Sequence, residues 1–93
     1  MKKLVILLML SNPVYSYTQE TCDTVLSLTS NIMEVRQYNG DMVKTHKLMT
    51  GQFAKEVVLE AMDTPIYNLR ENKQQKIKEF GLRYYKSCVS GDL

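Results

Sequence analysis

Cys22-Asp23-Thr24-Val25-Leu26-Ser27-Leu28-Thr29-Ser30-Asn31-Ile32-Met33-Glu34-Val35-Arg36-Gln37-Tyr38-Asn39-Gly40 is the stretch that decides the fold. Cys22, Val25, Thr29, Ile32 and Arg36 recur at the spacing of one helical face, and Leu28, Met33 and Val35 widen the stripe. Asn39-Gly40 supplies the stop, since glycine accepts the left-handed conformation that closes a helix. A long amphipathic helix from about Thr21 follows. Its apolar stripe must be covered by something else in the chain.

Downstream residues supply the cover. Asp41 reads as the cap of a short second helix carrying Met42, Val43, Leu48 and Met49, which stops at Gly51. The third helix spans Gln52 to Met62, with Phe53, Ala54, Val57, Val58 and Ala61 on its buried side. Pro65 ends it, because the residue before proline is pushed out of helical geometry. Asn68 as N-cap with Glu71 three residues on starts a fourth helix, whose Ile77, Phe80, Tyr84 and Cys88 fall on one face. No segment alternates as a strand does. The expected fold is all-α, a small four-helix bundle.

Cysteine usage ties the two long helices together. Cys22 opens the first and Cys88 closes the fourth, and two cysteines admit one intramolecular pairing. A Cys22–Cys88 disulfide makes these helices antiparallel neighbours. Redox dithiols sit two residues apart, and zinc needs more ligands than one histidine and two distant cysteines, so a structural bridge is the reading adopted.

The chain's beginning reads as an address. Met1, Lys2 and Lys3 precede the apolar run Leu4-Val5-Ile6-Leu7-Leu8-Met9-Leu10, which Ser11, Asn12 and Pro13 break. Val14-Tyr15-Ser16 then offers the short side chains of a cleavage site, placing the cut between Ser16 and Tyr17. The division expected is a signal peptide over residues 1–16 and one helical domain over residues 17–93. Seven apolar residues are too few to span a bilayer, which takes about 20. Glu20 and Thr21 before Cys22 exclude a lipidation motif. The short leader points to the periplasm of a Gram-negative cell, an oxidising compartment that agrees with the disulfide. Of 93 residues, 44% are apolar and 24% charged, which is globular composition. Without Lys2 and Lys3, ten basic residues face ten acidic ones, and such a balance lacks the electrostatic footprint of a nucleic-acid binder.

Few residues point to chemistry. Arg36 stands where the buried stripe runs out, and a guanidinium there must be accommodated. Three environments suit it: the last helical turn, where a cation complements the dipole; an ion pair with Glu60, or failing that Glu56; or a ligand. His46 is the only histidine and sits between Lys44 and Lys47 without a nucleophile or second metal ligand to complete a site, so it reads as a solvated side chain. No catalytic residue, metal or cofactor is expected. Arg70 to Glu79 wraps its helix with mixed charges and reads as a solvated surface. Met33, Met42, Met49 and Met62 read as core filling. Tyr85 and Leu82 lie off the fourth helix's stripe and, with Tyr38 beyond the first helix, form the candidate contact surface.

Cys22, the run Ile32-Met33-Glu34-Val35-Arg36-Gln37 with Gly40 after it, then Ala61, Pro65-Ile66-Tyr67, Phe80 and Cys88 together resemble a family of small exported helical proteins of proteobacteria and their phages and prophages. The resemblance spans nearly the whole chain after the leader, and its most specific parts are Ile-Met-x-x-Arg-Gln and the terminal cysteines. Members often carry Ala-Arg-Gln or Ala-Tyr where this chain has Val35-Arg36-Gln37 and Ala61-Met62. It implies an exported helical fold in a phage or prophage context and no established activity. The function expected is that of a non-catalytic binding or modulator protein whose partner is a periplasmic or envelope protein, acting on lysis, exclusion or a cell-wall enzyme, without stable membrane insertion. A periplasmic stress chaperone is the alternative, and a small hydrolase ranks third.

Overall fold

The computed structural model describes residues 18–93, and the leader with its cut before Tyr17 lies outside them. Four helices follow in order: α1 (Gln19–Gln37), α2 (Met42–Leu48), α3 (Gln52–Met62) and α4 (Arg70–Val89). The described residues contain no strand. The all-α, disulfide-tied bundle is as expected.

Local sequence accounts for most boundaries. Thr18 caps α1, its hydroxyl accepting the Thr21 amide at 3.1 Å, so the helix starts before the apolar stripe does. Asp41 caps α2 as anticipated, its carboxylate accepting the Lys44 amide at 3.0 Å. At the end of α1 the reading needs one correction: Asn39, not glycine, adopts the left-handed conformation, with φ 62°. The Gly40 amide reaches back to the Val35 carbonyl at 2.7 Å and the Asn39 amide to the Arg36 carbonyl at 3.3 Å, a Schellman closure. Gly40 is required for closeness, since a Cβ there would lie 2.3 Å from Val35 Cγ1. A second correction concerns α4. Leu69 occupies its N-cap with no side-chain hydrogen bond, and Asn68 does not cap it. The segment before α4 is tied down from α1 instead.

Packing divides the helices into two layers. α1 and α4 form the long pair, α3 packs against α1, and α2 packs against α3. Ile32, Met33, Met42, Val57, Val58, Ala61 and Phe80 make the core. Cys22 and Cys88 are fully buried at one end, their sulfurs 2.09 Å apart and their Cα atoms 5.6 Å apart, which holds the start of α1 beside the end of α4.

Midway along this pair, Gly81 is buried against α1. A Cβ at that position would meet Ser30 Oγ at 2.1 Å, Leu26 Cδ1 at 3.1 Å and Ser30 Cβ at 3.3 Å. The helices therefore approach as closely as the missing side chain allows. Alanine normally gains about 1 kcal/mol over glycine inside a helix. Here the steric conflict outweighs that gain, so Gly81→Ala should destabilise by about 1 kcal/mol in urea unfolding. In a Ser30→Ala background the nearest obstacle is gone, and the same change should be neutral or stabilising. Stabilisation by Gly81→Ala in the unmodified chain would contradict the close approach.

Candidate contact surface

Arg36 and Gln37 mark the end of the stripe on α1. Arg36 is half-buried, and its Nε donates to the Thr64 carbonyl at 2.9 Å. The expected Arg36–Glu60 ion pair is not formed. Glu60 accepts instead from the Arg83 guanidinium and the Tyr84 hydroxyl, both on α4, and Glu56 accepts from Gln52 at 2.9 Å. The reason is geometric: the end of α1 faces the connection between α3 and α4, whose carbonyls are nearer than the flank of α3. A double-mutant cycle of Arg36→Met and Glu60→Gln should be additive within about 0.5 kcal/mol. A cycle of Tyr84→Phe with Glu60→Gln should show coupling of about 0.5 to 1 kcal/mol.

Gln37 is wholly buried, and sequence reasoning passed over it. Its Nε2 donates to the Pro65 carbonyl at 2.9 Å and lies 3.5 Å from Met33 Sδ, and its Oε1 accepts the Tyr67 amide at 3.0 Å. The Gln37 carbonyl in turn accepts Lys73 Nζ at 2.6 Å, from the first turn of α4. Adjacent residues thus grip residues 64, 65 and 67 from one helix end. The Arg-Gln of Ile-Met-x-x-Arg-Gln is a loop clamp. A signal for it existed, since position 37 continues the face of Met33 by one turn, where a glutamine is out of place unless hydrogen-bonded.

On the covered side, Tyr84 joins α4 to α3. Its ring packs edge-on against Phe53 at 5.8 Å and tilted against Phe80 at 5.2 Å, while the Arg83 guanidinium lies 5.3 Å from both the Phe80 and Tyr84 rings. Burial, then the hydrogen bond to the Glu60 carboxylate, pushes the Tyr84 hydroxyl well above the ordinary 10.0. A group whose folded value is raised contributes stability below its unfolded value and loses it as pH rises. Tyr84→Phe should therefore flatten the loss of stability above about pH 10, measured by thermal melts across the alkaline range. An unchanged alkaline profile would remove Tyr84 from that transition.

The opposite side of the long pair is open. Cys22 against Cys88, Ser30 against Gly81 and the Tyr38 hydroxyl accepting from Gln74 at 2.8 Å set the register of α1 on α4. Helical periodicity then places Asp23, Ser27 and Glu34 of α1 on the outward arc, with Lys78, Leu82, Tyr85 and Val89 of α4 beside them. All three residues of the candidate contact surface fall here. Tyr38 is exposed with Lys73 Nζ 5.4 Å from its ring centre, Leu82 is 37% exposed, and Tyr85 is half-buried with its hydroxyl accepting from Gln19. Val89, 52% exposed, extends the strip.

No family model, curated protein or solved structure matches the chain. Chemistry elsewhere on the molecule is sparse. His46 is half-buried on α2, its carbonyl accepting Lys55 Nζ at 3.1 Å. Among the described residues no group of His, Cys, Asp or Glu could hold a metal ion, and no helix is long and apolar enough to cross a membrane. A polar groove of about 310 Å³ runs between Tyr67, Asn72, Gln75, Lys76 and Glu79, and an apolar depression of about 300 Å³ lies between Val25, Phe53, Cys88 and Leu93.

Proposed function

We propose that this chain is a small exported, non-catalytic protein that acts by protein–protein contact in the periplasm of a Gram-negative cell, in a phage or prophage setting, on an envelope process. The observation that carries the reading is the strip of Tyr38, Leu82, Tyr85 and Val89 on the outward face of α1 and α4. Aromatic and aliphatic side chains held on rigid helices are the usual material of a contact surface, because little side-chain freedom is lost when they are covered. The leader over residues 1–16 and the likeness to small exported proteins supply the compartment and the setting. The Cys22–Cys88 pair fits an oxidising environment.

Affinity capture of the tagged chain from cross-linked periplasm tests the reading. One stoichiometric envelope protein is the expected result. A broad set of unfolded clients would move the protein to the chaperone class, and capture of nothing would overturn a role in contact with an envelope protein.

A further inference from the structure

We infer that the outward face of α1 and α4 is closed by a second copy of this chain, an assignment that rests on reading this face as a contact surface. Two features of the face suit a second copy, a charge pattern complementary to itself and apolar side chains to cover. The first is charge. On this arc α1 carries Glu20, Asp23 and Glu34 and no cation, whereas α4 carries Lys78 and Lys86 along the stretch level with them. Among the described residues, Glu20, Asp23, Glu34, Lys78 and Lys86 make no ion pair within the chain. The second is the apolar cluster of Leu82, Tyr85 and Val89 with half-buried Leu26 at the disulfide end.

Register decides how two such faces meet. With Cys22 level with Cys88 and Ser30 level with Gly81, Asp23 lies level with the turn holding Lys86 and Val89, and Glu34 lies level with Lys78. A two-fold axis running along the helices, within the interface, lays each α1 on the α4 of the other copy and keeps the disulfide ends together. Leu82, Tyr85 and Val89 of α4 then lie over the second copy's α1, level with its Leu26 and Ser27. Glu34 faces the second copy's Lys78, and Asp23 faces its Lys86. A two-fold axis across the helices would instead lay α1 on α1 and bring Asp23 against Glu34, which like charge disfavours.

The size is sufficient for such a pair. A face as long as the 19-residue α1, about 28 Å, and two helices or about 18 Å wide offers about 500 Å² on each copy, near the lower bound for a specific contact. The assembly is a four-helix layer of α1 and α4 with their copies, flanked on both sides by α2 and α3. Its charge contacts are solvent-accessible, so it weakens with salt.

Sedimentation equilibrium of the purified oxidised chain tests the assignment. A dimer with a dissociation constant on the order of 10 µM, weakened by salt, is expected. Leu82→Glu should abolish it. Glu34→Lys and Lys78→Glu should each weaken it about tenfold by opposing like charges, and the double variant should recover most of the loss. Thermal melts matching the unmodified chain confirm that each variant folds. A monomer at all concentrations, or a double variant no better than the singles, would overturn the second copy as occupant. The two readings fail separately: a monomer that still captures one envelope protein leaves the contact role standing, whereas a dimer that captures nothing leaves only the self-association.

Discussion

Replacing Cys22 and Cys88 together by alanine is expected to lower stability by about 4 kcal/mol, in the chain-entropy account of a bridge closing a long loop. The bridge spans a sequence separation of 66 residues, nearly the whole helical domain. In its absence the unfolded chain regains the freedom of two distant ends, while the folded chain loses the tie between the first turn of α1 and the last turns of α4. For a domain of this size each kcal/mol shifts the melting temperature by about 4 to 8 °C, so a fall of about 20 °C or more is expected. Serine at both positions should be worse than alanine. Both sites are buried, and a hydroxyl enclosed there without a partner adds a desolvation cost of about 1 to 3 kcal/mol. Far-UV circular dichroism melts of the oxidised, reduced and doubly substituted chains measure this. A fall of only a few degrees would show that helix packing, not the bridge, holds the ends together.

This dependence also explains what the sequence could and could not reveal. The stripe on α1, the Asp41 cap and the bounds of α3 were legible because each rests on local chemistry: periodicity, a capping carboxylate, a glycine before and a proline after. The start of α4 was not. Its N-cap residue Leu69 caps nothing with its side chain, and the approach to the helix is set by α1, through Arg36 and Gln37 on the carbonyls of Thr64 and Pro65 and the amide of Tyr67. Side chains that bind main-chain carbonyls leave no complementary residue in the sequence. That is why Arg36 could be recognised as out of place while Glu60, the nearest acidic partner on paper, was the wrong one. Gly81 left a faint signal, since glycine inside a helical pattern suggests close approach of another backbone. The periodicity of Ile77, Phe80, Tyr84 and Cys88 passes beside it. That Leu82 and Tyr85 leave the buried face was legible because they break that same periodicity, and Tyr38 comes to their side of the long pair only through the antiparallel register that the disulfide imposes.

Gln37→Met is expected to cost about 2 to 4 kcal/mol, a large loss for a substitution that nearly preserves volume. Methionine nearly preserves the volume, so the change isolates polarity from packing. Three contacts disappear with the amide: those to the Pro65 carbonyl, the Tyr67 amide and Met33 Sδ. The first two matter most, because each leaves a main-chain group facing a buried apolar side chain and each such orphan costs about 1 to 3 kcal/mol. Arg36→Met should cost less, about 1 kcal/mol, since the half-buried Thr64 carbonyl can turn to water and the methionine keeps the packing of the arginine stem. Urea unfolding gives both numbers, and amide hydrogen exchange separates a clamp from general destabilisation. The Tyr67 amide should lose protection in Gln37→Met beyond what the global loss of stability accounts for, while amides in the middle of α4 should follow the global value. If Tyr67 stays protected and the melting point barely moves, the connection between α3 and α4 is held by its own turn chemistry and not by the end of α1.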